Sequence, residues 1–146
     1  MSNAGSPRPD GWRLHYRFEV TGRPAAFATT AEVAWRSAVA SAVAGRPFPQ
    51  PASARFKVIL EFRTTSKRPD ERWDIDNLVK PTLDAMEAIF GRRRWRGLVQ
   101  AQDDRVDELI ARKRSTRKGE ASGASIEVWY RTETAEDVFE SSENEV

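Results

Sequence analysis

Arg55-Phe56-Lys57-Val58-Ile59-Leu60-Glu61-Phe62-Arg63 sets Phe56, Val58, Leu60 and Phe62 at every second position, the period of a β-strand whose alternate side chains meet a core. After a charged turn from Thr64 to Arg72 the period changes. From Asn77 to Phe90, Leu78, Leu83, Met86 and Ile89 or Phe90 fall on a helical stripe that Gly91 closes. Asp76 or Asn77 is placed to cap this helix, and Pro81, in its second turn, to bend or delay it.

Outward from this strand and helix the same two periods recur. Leu14 to Val20 alternates Leu14, Tyr16, Phe18 and Val20 against His15, Arg17 and Glu19, a first strand ended by Thr21-Gly22-Arg23-Pro24. Ala31 to Ala44 carries Val33, Trp35, Val39 and Val43, a first helix with Thr29 or Thr30 as its cap and Gly45 and Pro47 as its stop. Val106 to Lys113 and Ser125 to Tyr130 read as two further strands joined by the Gly119 to Gly123 turn. The order β-α-β-α-β-β, without an internal repeat, predicts an α/β (α+β) domain: a mixed sheet of about four strands covered by two helices.

Bulk properties narrow the function. A chain of 146 residues holds one core. Residues 1–12 read as a flexible leader, with Met1-Ser2-Asn3-Ala4 a remnant of recombinant expression; residues 13–132 read as the single folded domain, and 133–146 as an acidic, disordered tail. No apolar run approaches the roughly 20 residues of a membrane span, and neither a secretory leader nor any Cys is present, so the expectation is a cytoplasmic protein with no membrane partner. The formal charge of +2 hides an asymmetry: from Glu133 onward there are six acids and no Lys or Arg, which leaves 24 basic against 16 acidic residues in the rest. That excess of eight positive charges predicts a polyanionic partner.

The chemistry concentrates in Trp73-Asp74-Ile75-Asp76-Asn77-Leu78-Val79-Lys80 and in Asp103-Asp104. In an extended segment, residues two apart share a side, so Asp74 and Asp76 would present both carboxylates together. Two adjacent anions repel unless a cation lies between them. Mg²⁺ takes hard carboxylate oxygens, keeps several waters and accepts phosphate oxygens to complete its shell. Lys80, one helical turn beyond Asp76, is placed to reach the same edge and clamp a phosphate. The competing reading of each acid is a cap or a surface turn.

The pattern of Asp74-Ile75-Asp76-Asn77-Leu78-Val79-Lys80-Pro81, then Leu83-Asp84-Ala85-Met86, then Val99 and Asp103-Asp104-Arg105-Val106, resembles the RusA family of Holliday-junction resolvases over about the central 40 residues. The resemblance implies a homodimeric α/β endonuclease that binds four-way DNA junctions and nicks two opposing strands with Mg²⁺ or Mn²⁺. It implies metal-binding acids at Asp74, Asp76 and Asp104, an essential lysine at Lys80, and an accessory acid at Asp103. Two segments depart from the family: Gly91 to Gly97 is longer and more basic, and Thr21-Gly22-Arg23-Pro24-Ala25 replaces its Pro- and Asn-rich opening. Both departures bear on selectivity for junctions rather than on the metal chemistry.

Arg92, Arg93, Arg94 and Arg96 form a dense cationic turn around Trp95; Arg68 and Arg72 precede the first acids; Lys113 ends the third strand. These are the expected DNA contacts. Trp12, Trp35, Trp73 and Trp129 sit on core-facing patterns, where packing is their role, and His15, without a second His or a Cys, is no zinc ligand. Three functions fit: a metal-dependent junction endonuclease acting in DNA recombination and repair, a non-catalytic module binding structured nucleic acid, and a related metal nuclease acting on flaps or forks.

Overall fold

The computed structural model describes residues 11–26, 29–46, 53–65 and 73–132, the side chains of Trp95, Val99 and Gln100 excepted. The elements among them are β1 (Arg13–Thr21), α1 (Glu32–Ala44), β2 (Ala54–Thr64), α2 (Ile75–Asp84), α3 (Glu87–Phe90), β3 (Arg92–Trp95), β4 (Leu98–Ala101), β5 (Val106–Ser115) and β6 (Gly123–Thr132). A 3-10 turn, Asp103–Arg105, leads into β5. Strands β1, β6, β2 and β5 form one sheet in that spatial order, antiparallel except for the parallel pair β2–β5. The class is the mixed α+β one that the two hydrophobic periods predict.

Phe56, Val58, Leu60 and Phe62 of β2 are buried on one face, with Ala124, Ile126 and Val128 of β6 in register with the last three. Phe18 and Val20 of β1 extend that surface. Trp35, Val39 and Val43 of α1 close over it, together with Leu78, Leu83, Met86, Ile89 and Phe90 from the α2–α3 segment. Each such side chain removed from water contributes about 1.5–3 kcal/mol, so this single layer dominates stability. One polar bond crosses it: the buried Trp35 indole Nε1 donates to Thr82 Oγ1 at 2.9 Å, and that hydroxyl donates to the Leu78 carbonyl at 2.8 Å.

The other sheet face carries no helix among the described residues, and charge covers it instead. Arg17 meets Glu127 and Arg63 meets Glu19, each at 3.2 Å, and Arg114 meets Glu61 at 3.1 Å. Arg114 also grips Glu120 in the β5–β6 turn, and hydrogen bonding to that guanidinium holds the Glu120 carboxyl down to about 2. Trp12, placed by the sequence at the end of the leader, is buried here; its indole donates to Glu108 and the Arg131 guanidinium lies 4.4 Å from its ring centre.

Several local expectations change. The helix read as continuous from Asn77 to Phe90 is two: α2 starts at Ile75, passes through Pro81 and ends at Asp84, and the break falls at Ala85-Met86. Pro81 is buried and forgoes the bond an N–H there would give to the Asn77 carbonyl, while the Pro81 carbonyl still accepts from Ala85 N–H. The N-cap positions are Ala31 and Asp74, neither with a side-chain cap bond; Thr29 Oγ1 instead donates to the Ala26 carbonyl at 2.7 Å. The basic segment expected as a turn is a strand, β3, paired with β4. No helix among the described residues is long and apolar enough to cross a membrane.

His15, on the polar phase of its strand by sequence, sits at a register shift between Leu14 and Tyr16. Its ring centre lies 3.8 Å from that of Tyr16 and 5.6 Å from that of Tyr130, and burial lowers its pKa from 6.5 to about 4.

Two outcomes follow from these contacts. Thr82→Val strands the Trp35 N–H in an apolar layer and should cost about 1–3 kcal/mol in denaturant unfolding. For His15, the unfolded chain takes up a proton near pH 6.5 that the folded chain refuses until about pH 4. Its contribution is therefore intact above pH 6.5 and is withdrawn as pH falls from there toward 4. The melting temperature of His15→Phe should drop less across that window than that of the unaltered protein.

Candidate active site

The acids are positioned by the start of α2. Asp74 is extended (φ −66°, ψ 146°) and its carbonyl accepts from Asn77 N–H at 3.1 Å. Ile75 is already helical, so Asp76 lies in the first turn, where each residue rotates by about 100°. Extended alternation, the expected basis for pairing Asp74 with Asp76, does not set their relation. Both carboxylates are exposed at the helix N-terminus, where the backbone dipole favours negative charge.

Ile75, Val79 and Leu83 recur at four-residue spacing along α2 and turn toward Leu109 and Ala111, alternate residues of the edge strand β5. Between them lies a solvent-open cavity of about 430 Å³, which Asp76, Lys80 and Asp103 also line. An apolar floor bordered by two carboxylates and one ammonium results. Lys113 Nζ donates to the Trp73 carbonyl at 2.7 Å, fastening β5 to the chain just before the first acid.

Asp103 and Asp104 are held by the turn that carries them. Arg105 is buried under them, with Nε donating to the Ala54 carbonyl at 3.0 Å, Nη1 to the Phe90 carbonyl at 2.9 Å, and its guanidinium 5.1 Å from the Phe56 ring centre. Burial, with Arg55 nearby, draws its pKa below the usual guanidinium value, and Asp104 opposes that shift. Arg55 Nη2 donates to the Asp104 carbonyl at 2.9 Å. The two carboxylates meet Arg93 of β3, at 3.6 Å from Asp103 and 3.7 Å from Asp104. A cation therefore already stands between this pair of acids.

Of the residues singled out by sequence, Asp76, Lys80 and Asp103 share the cavity, whereas Asp74 and Asp104 are not among its lining residues. Among the described residues no three acids or histidines are gathered closely enough to hold one ion. The donor chemistry nevertheless suits a hard divalent ion, which needs only one or two carboxylates when phosphate and water complete its shell. Arg92, Arg94 and Arg96 are exposed on the β3–β4 hairpin, and Arg93 is half-buried against the acids. Arg68 and Arg72 lie outside the described residues.

Two partners were not foreseen. Asp84, its side chain only 15% exposed, holds Lys80 Nζ at 3.4 Å; the four-residue spacing on one helix was a readable signal. Arg93 was read as a DNA contact, and only the fold reveals its place on the acids.

A family model described as Endodeoxyribonuclease RusA matches residues 13–129, which include all of these groups. No curated protein matches the chain. DNA cleavage gives the Lys80–Asp84 contact a readout: Asp84→Asn removes the charge that Lys80 pairs with and should lower the turnover number roughly 10- to 100-fold with little change in KM, and Asp84→Glu should restore part of it.

Proposed function

From the premise that this chain belongs to the RusA endodeoxyribonuclease family, we propose that it resolves Holliday junctions, cutting four-way branched DNA by paired phosphodiester nicks with Mg²⁺ or Mn²⁺ in DNA recombination and repair. The single observation that carries this reading is the cavity between α2 and β5, where Asp76 and Asp103 face Lys80 beside an arginine-rich hairpin. Acids and cations crowded on one rim suit a site that receives a metal and a phosphate together.

In this reading Asp74, Asp76 and Asp104 hold the ion and Asp103 assists. Asp104 would exchange the Arg93 guanidinium, now 3.7 Å away, for the ion. A bound divalent ion would lower the pKa of water and offset the charge on phosphate. Lys80, steadied by Asp84, contacts the scissile phosphate. Arg92, Arg94, Arg96, Arg68, Arg72 and Lys113 track the DNA backbone, an electrostatic contact that weakens steeply as salt rises. The nuclease domain spans residues 13–132 and acts in the cytoplasm as a homodimer, whose two-fold axis would match that of the junction and bring one site to each of two opposing strands.

Cleavage of four-way, three-way, flap and linear DNA with Mg²⁺, Mn²⁺ or chelator tests metal, reaction and substrate at once. Four-way DNA should be cut in symmetric pairs and only with metal. Asp74→Asn and Asp76→Asn should each reduce nicking by at least about 100-fold while binding the junction as tightly as the unaltered protein. Nicking that survives both substitutions would remove the catalytic assignment, and a preference for flaps would replace the junction as substrate.

A further inference from the structure

We propose that the β3–β4 hairpin is a wedge that drives Leu98 into an opened base step of the branched DNA, about two nucleotides from the bond that is cut. This rests on the branched-DNA reading above and adds how the substrate is deformed.

The hairpin pairs Arg92 with Ala101, Arg93 with Gln100, Arg94 with Val99 and Trp95 with Leu98. Only Arg96 and Gly97 lie between the strands, both with positive φ (51° and 79°), which makes the tightest kind of hairpin turn. Its root is fixed. Gln102 N–H donates to the Gly91 carbonyl at 2.8 Å, Arg92 meets Glu87 at 3.0 Å, Arg93 meets Asp103 and Asp104, and Ala101 is buried.

Leu98 is 68% exposed, next to a two-residue turn and close in sequence to the exposed Arg94 and Arg96. A lone exposed leucine is unremarkable on a surface. One beside the turn of a hairpin pinned at its root, with exposed arginines near it in sequence and the acids at the far end, has the parts a DNA wedge requires: arginines to register on phosphates, and an apolar side chain to replace the stacking it disrupts. The hairpin sets a distance. Leu98 stands opposite Trp95, two residues from Arg93 at the acids; at ~3.3 Å each this is about 7 Å, or about two nucleotides at ~3.4 Å per step.

The test uses the full chain and four-way junctions carrying 2-aminopurine at successive positions near the branch point, with Ca²⁺ for binding and Mg²⁺ for cleavage. The unaltered protein should raise the fluorescence at one step, about two nucleotides from the nick. Leu98→Ala, at an exposed position, should abolish that rise and slow cleavage of the paired junction roughly 10-fold. Leu98→Phe should retain both, and a junction already unpaired at that step should be cut equally by Leu98→Ala and the unaltered protein. If Leu98→Ala opens and cuts paired junctions as the unaltered protein does, the wedge is overturned while the junction nuclease stands. If the unaltered protein cuts no branched DNA in preference to linear DNA, the reading beneath it falls, and the wedge with it.

Discussion

The hydrogen bond from the Trp35 indole to Thr82 fixes how α2 lies on the sheet. An indole N–H enclosed by apolar side chains must find an acceptor, and here that acceptor lies one turn beyond Leu78, to whose carbonyl its own hydrogen is given. The bond sets both the depth and the rotation of α2. With Leu78 and Thr82 directed inward, Ile75, Val79 and Leu83 are left to face β5, and Asp76 and Lys80 come to the rim of the resulting cavity. Packing between two helices thus decides where two charged side chains meet solvent.

The sheet divides the protein into two kinds of surface. On the helical side burial does the stabilising, and the functional residues sit where that layer ends, at the edge strand β5. On the other side, ion pairs between strands cover the backbone, Arg63 of β2 reaching across β6 to Glu19 of β1. Such exposed pairs add little each, yet they satisfy charged groups within the sheet and leave the exposed Arg92, Arg94 and Arg96 of the hairpin as a separate cationic surface beside the cavity.

β1, β2 and β6 were legible from alternation and α1 from its stripe, although Val33 of that stripe is exposed; β5 was legible without alternation, its apolar residues falling at Val106, Leu109 and Ala111. The break at Ala85-Met86 was not, because apolar residues continue through it and only packing on the sheet shows that the stripe changes direction. The hairpin was hidden for a different reason: Arg92-Arg93-Arg94 has the composition of a solvated turn, and its strand character depends on pairing with Leu98–Ala101. Asp76, Lys80 and Asp103 were legible as chemistry from residue type and spacing. That Asp103 rather than Asp104 lines the cavity wall depends on a turn pinned by the buried Arg105, a tertiary contact that no local pattern records.

The pairing of β1 with β6 joins the earliest described strand to the last, Arg17 opposite Glu127 across 110 positions. Closing so long a loop costs entropy before any contact repays it. On a ribosome, the apolar side of β1 must therefore wait until β6 has emerged before its neighbour exists. During that interval Phe18 and Val20 lack the strand that continues their layer, which makes the nascent chain, rather than the finished domain, the form most exposed to misassembly.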